Sequence, residues 1–387
     1  MTHNPLLALT PEQSEIQRMA RAFAQAEIAP IAAALDRESR FDDALVGKLG
    51  ALGFLGMLIP EAHDGLGLDT LSYLLALEEI AAADASAAVL MSVHNSLPTQ
   101  MILKYGSDGL KQRFLAPMAR GELLGAFALS EPDAGSDAAS LRTQAVRDGE
   151  HWVLDGTKAW VTNGNTAGVI LAMARTDSPE LRRGARGISA FVITPDLPGF
   201  KVGKKENKMG LRASPTTQLV FDQMRVPADR LLGEEGQGFV YAIQSLEHGR
   251  LGVAAQALGI ARAALDHAVA YAHERRQFGT PIAEFGAIQF KLADMATRVA
   301  AARSLLHATA AAKDRGESVG PQASMAKLFA SETAMWVTTQ AIQVFGGYGY
   351  VTDYPVERLF RDAKVTEIYE GTSEIQRVVI GRSLAPK

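Results

Sequence analysis

The sequence predicts an α+β protein of several domains: an N-terminal all-α domain, a middle antiparallel β-barrel or sandwich domain, and a C-terminal four-helix bundle. Apolar residues recur at helical spacing up to about residue 120 and again after residue 238. The part between them is rich in β-forming residues and is interrupted by Gly and Pro. A chain of 387 residues can form two or three domains with cores of their own. We therefore expect domains at 1–121, 122–232 and 233–387.

The N-terminal domain opens with a helix-start signal. Thr10, Pro11 and Gln13 combine an N-cap residue, Pro at the first helical position and a capping-box partner. The stretch LSYLLALEEIAAADASAAVLM has the Ala/Leu composition of a packed helix. Breaks at GFLGMLIPEAHDGLGLD and KYGSDG divide the region into several helices.

Turn and strand signals mark the middle domain. Asp-Gly pairs at 148–149 and 155–156 lie between β-rich runs, which is typical of hairpins. The runs GISAFVITP and TTQLVFDQMRV follow, separated by Gly and Pro. These signals predict an antiparallel sheet.

Three apolar stripes at helical spacing mark the C-terminal domain. Each predicted helix exceeds 20 residues, and the breaks at 279–281 and 316–321 are short, as in an antiparallel bundle. A shorter helix after Glu370 would complete four. The stripes consist of Leu251, Ala255, Leu258, Leu265 and Val269; of Ile288, Leu292, Met295, Val299 and Leu306; and of Met325, Phe329, Trp336 and Ile342.

Composition limits the possible functions. A net charge of −4 gives no basic surface for nucleic acid, and the absence of cysteine excludes disulfides, thiolate metal sites and cysteine nucleophiles. The eight histidines show no metal-ligand spacing, so no metal is expected. No targeting segment and no apolar run of about 18 residues is visible, so we expect a cytoplasmic protein that does not enter a membrane.

A carboxylate precedes the last predicted helix in EIYEGTSEIQR, residues 367–377. Thr372 and Ser373 are good N-cap residues, and Ser373 with Gln376 fits a capping box. The positive end of that helix favours an ionised Glu370, whereas burial beside a tyrosine would raise its pKa. Such opposing influences suit a catalytic base; a solvated glutamate without a chemical role is the alternative.

Four further segments carry more small, polar and aromatic residues at element ends than packing alone requires. Each also has a structural interpretation, as a turn, a core Trp, a helix-dipole partner or a C-cap. No Rossmann, P-loop, HExxH or GxSxG pattern accompanies them. The segments are FALSEPDAGSD at 127–137, WVTNG at 160–164, ERRQFG at 274–279 and QVFGGYGY at 343–350.

Together and in this order, the five segments resemble the acyl-CoA dehydrogenase family of flavoenzymes over about residues 10–382. FALSEPDAGSD is similar to the first family signature and AKVTEIYEGTSEIQR to the second. The likeness is closest to short-chain, butyryl-CoA-type members. It implies the family's three-part fold, FAD between the β domain and the bundle, an acyl-CoA substrate, an electron transfer flavoprotein as acceptor, and a homotetramer built as a dimer of dimers.

The resemblance also assigns site residues. Glu370 would be the catalytic base, and Ser136, Glu247, Arg250 and Gly371 would contact the coenzyme A thioester. The FAD-binding residues would be Phe127, Leu129, Ser130, Ser136, Trp160, Val161, Thr162, Arg275, Gln277, Phe278, Gln343, Gly346, Gly347, Thr372, Ser373 and Glu374.

These FAD-binding residues would serve different parts of the cofactor. The segments 127–136 and 160–162 would line the flavin ring, and 372–374 would meet the cofactor near the base. The segments 275–277 and 343–347 would act across a subunit interface. There Arg275 would pair with the pyrophosphate through a charge-assisted hydrogen bond.

The implied chemistry explains the need for these parts. The α C–H of a thioester is a weak acid, so the base must be an aligned carboxylate in a dry site. The enolate oxygen needs hydrogen-bond donors, which in the family are a ribityl hydroxyl of FAD and the N–H of the base, here Glu370. The β-hydrogen would then leave as hydride to the flavin, giving a trans-2-enoyl-CoA.

Two positions test this assignment. Some relatives take their base from the helix near LEHGR, where this chain has Gly249, which leaves Glu370 as the candidate. Relatives commonly place an FAD-contacting glutamine where this chain has Gly286. Glycine has no side chain to form that bond, so this contact is in doubt.

The substrate remains open at this stage. A short straight acyl chain is the first hypothesis, and a short branched one, isobutyryl- or 2-methylbutyryl-CoA, is the alternative. An acyl-CoA oxidase fits less well because such relatives are usually much longer, and a non-catalytic scaffold that binds acyl-CoA or flavin is the remaining reading. Pocket depth depends on how the helices around 90–101 and 246–251 close the tunnel, which residue identity does not determine.

Overall fold

The protein is described by a computed structural model over residues 8–176 and 184–385. Helices come first, a sheet follows, and helices return, so the predicted fold class is confirmed. Over the described ranges, no helix is both long and apolar enough to cross a membrane.

Short helices make up the first region. Thr10 caps the first of them through the predicted box, since Gln13 N donates to Thr10 Oγ1 and Thr10 N donates to Gln13 Oε1, each over 3.1 Å. Asp84 ends one helix and caps the next by accepting from Ala87 N at 3.1 Å. The helices are α1 (Pro11–Phe23), α2 (Ala29–Glu38), α3 (Asp43–Ala51), α4 (Thr70–Ala83), α5 (Ala85–Ser96), α6 (Pro98–Tyr105) and α7 (Asp108–Ala119).

An eight-stranded sheet forms the second region. Its strands are β1 (Gly125–Ala128), β2 (Gln144–Asp148), β3 (His151–Thr162), β4 (Val169–Arg175), β5 (Ile188–Ile193), β6 (Phe200–Lys205), β7 (Thr216–Pro227) and β8 (Leu231–Leu232). The order is β6-β7-β3-β2-β4-β5-β8, with β1 beside β4. Most pairs are antiparallel, as predicted.

Two details of the sheet differ from the sequence-based expectation. The pairing of β1 with β4 and the single pair between β2 and β4 are parallel, because β1 enters directly from the helical region rather than through a hairpin. Gly149 lies in the predicted hairpin turn between β2 and β3, but Gly156 lies inside β3 at a break in register. A Cβ on Gly156 would come within 2.8 Å of Thr143 Cα, so glycine permits close approach there rather than a turn.

Three long helices and two short ones form the third region. They are α8 (Gly238–Glu274), α9 (Gly286–Asp314), α10 (Gly320–Phe345), α11 (Val356–Thr366) and α12 (Ser373–Ser383). A two-residue ribbon, β9 (Arg276–Gln277) and β10 (Thr280–Pro281), joins the first two. The sequence analysis did not predict α11.

The contact between α8 and α10 is made by small residues. On α10 the predicted stripe of Met325, Phe329, Trp336 and Ile342 is only partly buried. Most of the buried residues of α10 are small, which allows the two helix axes to approach closely. They include Ala323, Ser324, Ala326, Ala330, Ser331, Ala334 and Ala341.

A loop of the sheet docks on the helices. Leu211, between β6 and β7, is buried in the helical core, and its N–H donates to Asp362 Oδ1 of α11 over 2.6 Å. A Cβ on Gly210 would lie 2.7 Å from the Asp362 nitrogen, so the two backbones are in direct contact. The same loop runs into β7, whose Thr216 pairs with Thr162 at the end of β3. Asp362 thus connects the sheet to the helix that precedes Glu370.

Candidate active site

Glu370 lies in the turn between α11 and α12. Its φ is 51° and that of Gly371 is 92°, a left-handed conformation that is strained for a glutamate. Thr372 is the N-cap of α12, with its Oγ1 accepting from Ile375 N at 3.3 Å. The expected capping box of Ser373 with Gln376 is therefore wrong, because Ser373 is already the first helical residue.

The Glu370 carboxylate is buried without a hydrogen-bond partner. Both of its oxygens are shielded from solvent, and neither accepts a hydrogen bond from a described residue. The carboxylate lies against α8 at Gly249, where a Cβ would be 2.8 Å from the Glu370 carboxyl carbon and closer still to Oε2. A glycine at this position leaves the space that the carboxylate fills.

Burial and nearby positive charges act in opposite directions on Glu370. Burial raises the pKa of Glu370 to about 7, against the lowering effect of Lys327 and then Arg250. Arg250, on α8, is itself buried, and its Nη1 donates to Ser324 Oγ over 3.3 Å. The carboxyl group therefore takes and releases a proton near neutral pH.

Lys327, on α10, is a site residue that the sequence analysis missed. It is fully buried, and its ammonium donates to the carbonyl of Gly371 over 2.8 Å. Burial lowers the pKa of Lys327 to about 8, while Glu370 raises it. Its position on the alanine face of α10, between Ala323 and Ala330, is the signal that could have identified it.

Two backbone donors beside the carboxylate are unused. Among the described residues, the N–H groups of Glu370 and Gly371 donate no hydrogen bond. Gln376 Nε2 donates to the carbonyls of Glu370 and Gly371 over 3.2 and 2.9 Å. In a trans peptide the N–H points opposite to the C=O, so the Gly371 N–H is directed away from Gln376. Free N–H groups of this kind can stabilise an oxyanion.

A buried wall continues along α8 from Gly249. One turn on, a Cβ at Gly252 would lie 3.1 Å from the hydroxyl of Tyr73 and closer still to Ser92 Oγ. One further turn on, Gln256 is buried, its Nε2 donates to Ala85 O over 2.8 Å, and its Oε1 accepts from the Tyr369 hydroxyl. The sequence analysis did not single out Tyr73 or Gln256.

The predicted flavin-ring segments lie together at one end of the sheet. Ala159 N donates to Ser130 O over 2.9 Å, which ties the segment 127–136 to β3. Trp160 is 62% exposed, and its φ of 61° coincides with a break in register between β3 and β7. An exposed indole in a left-handed backbone is costly unless something covers it. Trp160 thus fits one face of a planar ring system.

The predicted pyrophosphate residues line an open pocket of about 810 Å³. Arg275, Gln277, Gly346 and Gly347 form part of its wall. The Arg275 guanidinium lies 5.4 Å from the centroid of the Tyr348 ring and has no carboxylate partner among the described residues. A Cβ on either glycine would meet nothing within 4 Å. A free cation beside open backbone suits a diphosphate, so these residues fit FAD.

The remaining predicted residues are more scattered. Phe278 is 95% exposed, and Gln343 is exposed and does not line the pocket. Ser136 is exposed on its loop. Glu247 faces Lys313, with 3.8 Å between Oε2 and Nζ. The structure brings Glu370, Gly371 and Arg250 together, and the charge of Glu247 also acts on Arg250. Among the described residues, no contact joins Ser136 to them.

Two more positions complete this comparison. Gly286 begins α9, and a Cβ there would meet nothing within 4 Å, so no neighbouring side chain occupies the space of the expected glutamine. Near the base, Ser373 has a buried hydroxyl without a partner among the described residues, whereas Glu374 is exposed. The structure places Val161 and Leu129 in the interior beside Trp160 and Ser130.

Three family models match nearly the whole chain. They are the acyl-CoA dehydrogenase N-terminal domain over residues 10–122, the middle domain over 126–224 and the C-terminal domain over 236–385. The chain is 51% identical over 375 residues to the mitochondrial short-chain specific acyl-CoA dehydrogenase of Mus musculus, covering 97% of this chain and 90% of that protein.

Solved structures agree with this match. The butyryl-CoA dehydrogenase of Megasphaera elsdenii is similar with a TM-score of 0.95 and 44% identity, covering 98% of this chain and 99% of that one. A chain in the structure of the electron transferring flavoprotein of Acidaminococcus fermentans is similar with a TM-score of 0.96 and 46% identity, covering 98% of this chain and 100% of that one.

Proposed function

The chain belongs to the acyl-CoA dehydrogenase family of FAD-dependent enzymes, and we propose that it converts short, straight-chain acyl-CoA thioesters to trans-2-enoyl-CoA with Glu370 as the base. One observation carries the assignment of the base. The Glu370 carboxylate is buried, has no partner among the described residues, and fills the space left by Gly249.

The environment of Glu370 suits proton abstraction. With the pKa of Glu370 near 7, its carboxylate is available at neutral pH and is more basic than an exposed glutamate. Because no side chain solvates it, the carboxylate keeps its basicity until a substrate C–H is presented. The proton therefore moves from the α-carbon to a carboxylate oxygen of Glu370.

The charge that develops on the thioester oxygen needs donors. The free N–H groups of Glu370 and Gly371 lie next to the base and can donate to that oxygen. Because they belong to the turn that carries the carboxylate, the donor and the base are positioned together. Arg250 adds positive charge from α8.

FAD, when bound, supplies the two-electron acceptor for the β-hydride. One subunit would hold the flavin ring against Trp160 and the segment 127–136, and Arg275 and Gly346 of another subunit would hold the pyrophosphate. Thr162, Thr372 and Gln277 would complete the polar contacts.

The wall along α8 supports a short acyl chain. From Gly249 to Gln256 the helix rises roughly 10 Å at about 1.5 Å per residue. Tyr73, at the level of Gly252, and the bonded pair of Gln256 and Tyr369 close this space with buried side chains. A long acyl chain that ran along α8 would therefore meet Tyr73 and Gln256. The Mus musculus and Megasphaera elsdenii relatives are named for short-chain substrates.

We also propose an electron transfer flavoprotein as acceptor and a homotetramer as the assembly. A similar chain occurs in the structure of an electron transferring flavoprotein. Large apolar side chains near the Arg275 pocket and on α9 are exposed in the single chain, which supports subunit contacts there. They are Phe278 at 95%, Tyr350 at 88% and Phe290 at 73% exposure.

Anaerobic flavin bleaching tests the proposal. The FAD-loaded protein is mixed separately with butyryl-, isobutyryl-, octanoyl- and palmitoyl-CoA, and we expect the fastest bleaching with butyryl-CoA. Faster bleaching with isobutyryl-CoA would instead indicate a branched-chain enzyme, and no bleaching with any of the four would support the non-catalytic scaffold.

The base is tested in the same assay. Glu370→Gln should abolish bleaching, whereas Glu317→Gln, an exposed change in the turn after α9, should leave it intact. A Glu370→Gln protein that bleaches as fast as the parent would show that another group takes the proton.

A further inference from the structure

Lys327 is buried without the ion pair that usually accompanies a buried cation. Its side chain is inaccessible to solvent, yet no carboxylate lies within ion-pair distance of it among the described residues. The ammonium has three N–H donors, and among the described residues it donates only to the carbonyl of Gly371, at 2.8 Å. Burying a cation is costly, so its place beside the base turn calls for a functional reason.

The bond from Lys327 holds the strained turn. The carbonyl of Gly371 accepts from Lys327 Nζ and from Gln376 Nε2, and Gln376 also binds the carbonyl of Glu370. Gln376 belongs to α12, directly after the turn, whereas Lys327 belongs to α10. Lys327 therefore ties the turn to α10.

The same face of α10 supports the second cation. Ser324 lies one helical turn before Lys327 and accepts from Arg250 Nη1. Lys327 from α10 and Arg250 from α8 are the two positive charges that act on Glu370. The carboxylates that act on Lys327 are Glu370, Glu367 and Glu374, all in or beside the turn. Tyr73 from α4 and Tyr369 are also near Glu370, and both have pKa values raised by burial, so they remain neutral.

We propose that Lys327 is a positioning residue of the reaction: it fixes the Glu370–Gly371 turn through the Gly371 carbonyl and supplies the positive charge that keeps the base ionised. The proposal rests on the proposed role of Glu370. It assigns two separable effects to one side chain, a hydrogen bond that sets where the carboxylate and its N–H lie, and a charge that sets when the carboxylate is ionised.

The pH dependence of flavin reduction separates this role from a structural one. Lys327→Met removes the donor and the charge, and Lys327→Gln keeps a donor but removes the charge. In both variants the rising limb of the rate at saturating butyryl-CoA should move to higher pH, by about one pH unit or more. Lys327→Met should in addition keep a lower plateau at high pH, because the turn is no longer held. If the rate of flavin reduction rises at the same pH in both variants as in the parent, the proposal is overturned.

A stability measurement tests the same pair without substrate. The urea midpoints of the FAD-loaded parent, Lys327→Met, Glu370→Gln and the double variant form a cycle. At about pH 7.5, where most of Glu370 is ionised and most of Lys327 is charged, Lys327→Met should lower the midpoint more in the parent than in the Glu370→Gln background. At pH 5 this difference should vanish. Equal effects in both backgrounds at both pH values would mean that Lys327 does not act on Glu370.

The two proposals fail in different ways. If Glu370→Gln bleaches like the parent, the assignment of the base is wrong, whatever the Lys327 variants do. If Glu370→Gln is inactive but Lys327→Met keeps the parent's pH limb and shows no coupling, the base stands and the role of Lys327 is wrong. Lys327→Gln provides the kinetic test if Lys327→Met does not fold.

Discussion

Replacing Gly249 by alanine should stop catalysis while leaving the fold intact. The new Cβ would lie 2.8 Å from the Glu370 carboxyl carbon, whereas ordinary contact begins at 3.4 Å. The carboxyl carbon must therefore move by at least 0.6 Å (3.4 minus 2.8), and Oε2, which is closer, must move further. A misplacement of about 1 Å in a reacting group can lower a rate by about 100-fold, so we expect a loss of that order.

The same substitution should not destabilise the protein. Gly249 lies within α8, where alanine is the better helix former by about 1 kcal/mol. The atoms it meets belong to the end of the flexible Glu370 side chain, which can swing aside. The urea midpoint should therefore be equal to or above that of the parent, and FAD should still bind.

Stopped-flow bleaching with butyryl-CoA measures the rate, with Gly381→Ala as the matched control. Gly381 is a helical glycine on α12 whose added Cβ would meet nothing within 4 Å, so its rate should match the parent. If Gly249→Ala bleaches as fast as Gly381→Ala, the carboxylate does not work from its position against α8.

Three further predictions concern charge. The rate of flavin reduction in the parent should rise with pH through about 7 and then level, because Glu370 must lose its proton to act as base; a pH series of bleaching rates checks this. Burial, and after it the negative charge of Asp84, raises the pKa of Asp362 to about 7. The folded state thus holds a proton that the unfolded state releases, and stability falls as pH rises from the ordinary aspartate range to 7. Asp362→Asn keeps an acceptor for the Leu211 N–H but cannot become charged. In urea unfolding at pH 8 the variant should therefore be more stable than the parent by about 1 kcal/mol or more. At pH 4 this gain in stability should be lost. Arg275→Gln should weaken FAD binding to the apoprotein by about 10-fold or more in a fluorescence titration. Arg315→Gln, which loses an exposed ion pair with Glu317, should not.

Regular residue patterns predicted the order of the three regions: helical, sheet and helical. The Thr10 box and the long bundle helices depend on residues close together in the chain, so local patterns sufficed. Glu370 could be singled out from the sequence for the same reason, because its turn is defined by Gly371 and by a helix start within a few residues. The family resemblance then ordered the separate segments into one site.

Features set by distant contacts were missed. The parallel pairing of β1 with β4 joins residues 125–128 to 169–172, and no local signal reports strand direction. The role of Lys327 depends on a carbonyl 44 residues further on. The buried face of α10 is rich in small residues where α8 packs closely, whereas the larger stripe led by Phe329 and Trp336 is the more conspicuous pattern. Trp160 takes its left-handed backbone from a break in register that requires the neighbouring strand.

The docked loop around Leu211 limits how the protein can move. A hinge motion that swung the sheet away from the base would pull Leu211 out of the helical core. It would also break the hydrogen bond from the Leu211 N–H to the Asp362 carboxyl group. Gly210 and α11 are also in backbone contact, which leaves no slack for sliding. We therefore expect the sheet and the helices to keep their separation while a substrate enters and leaves.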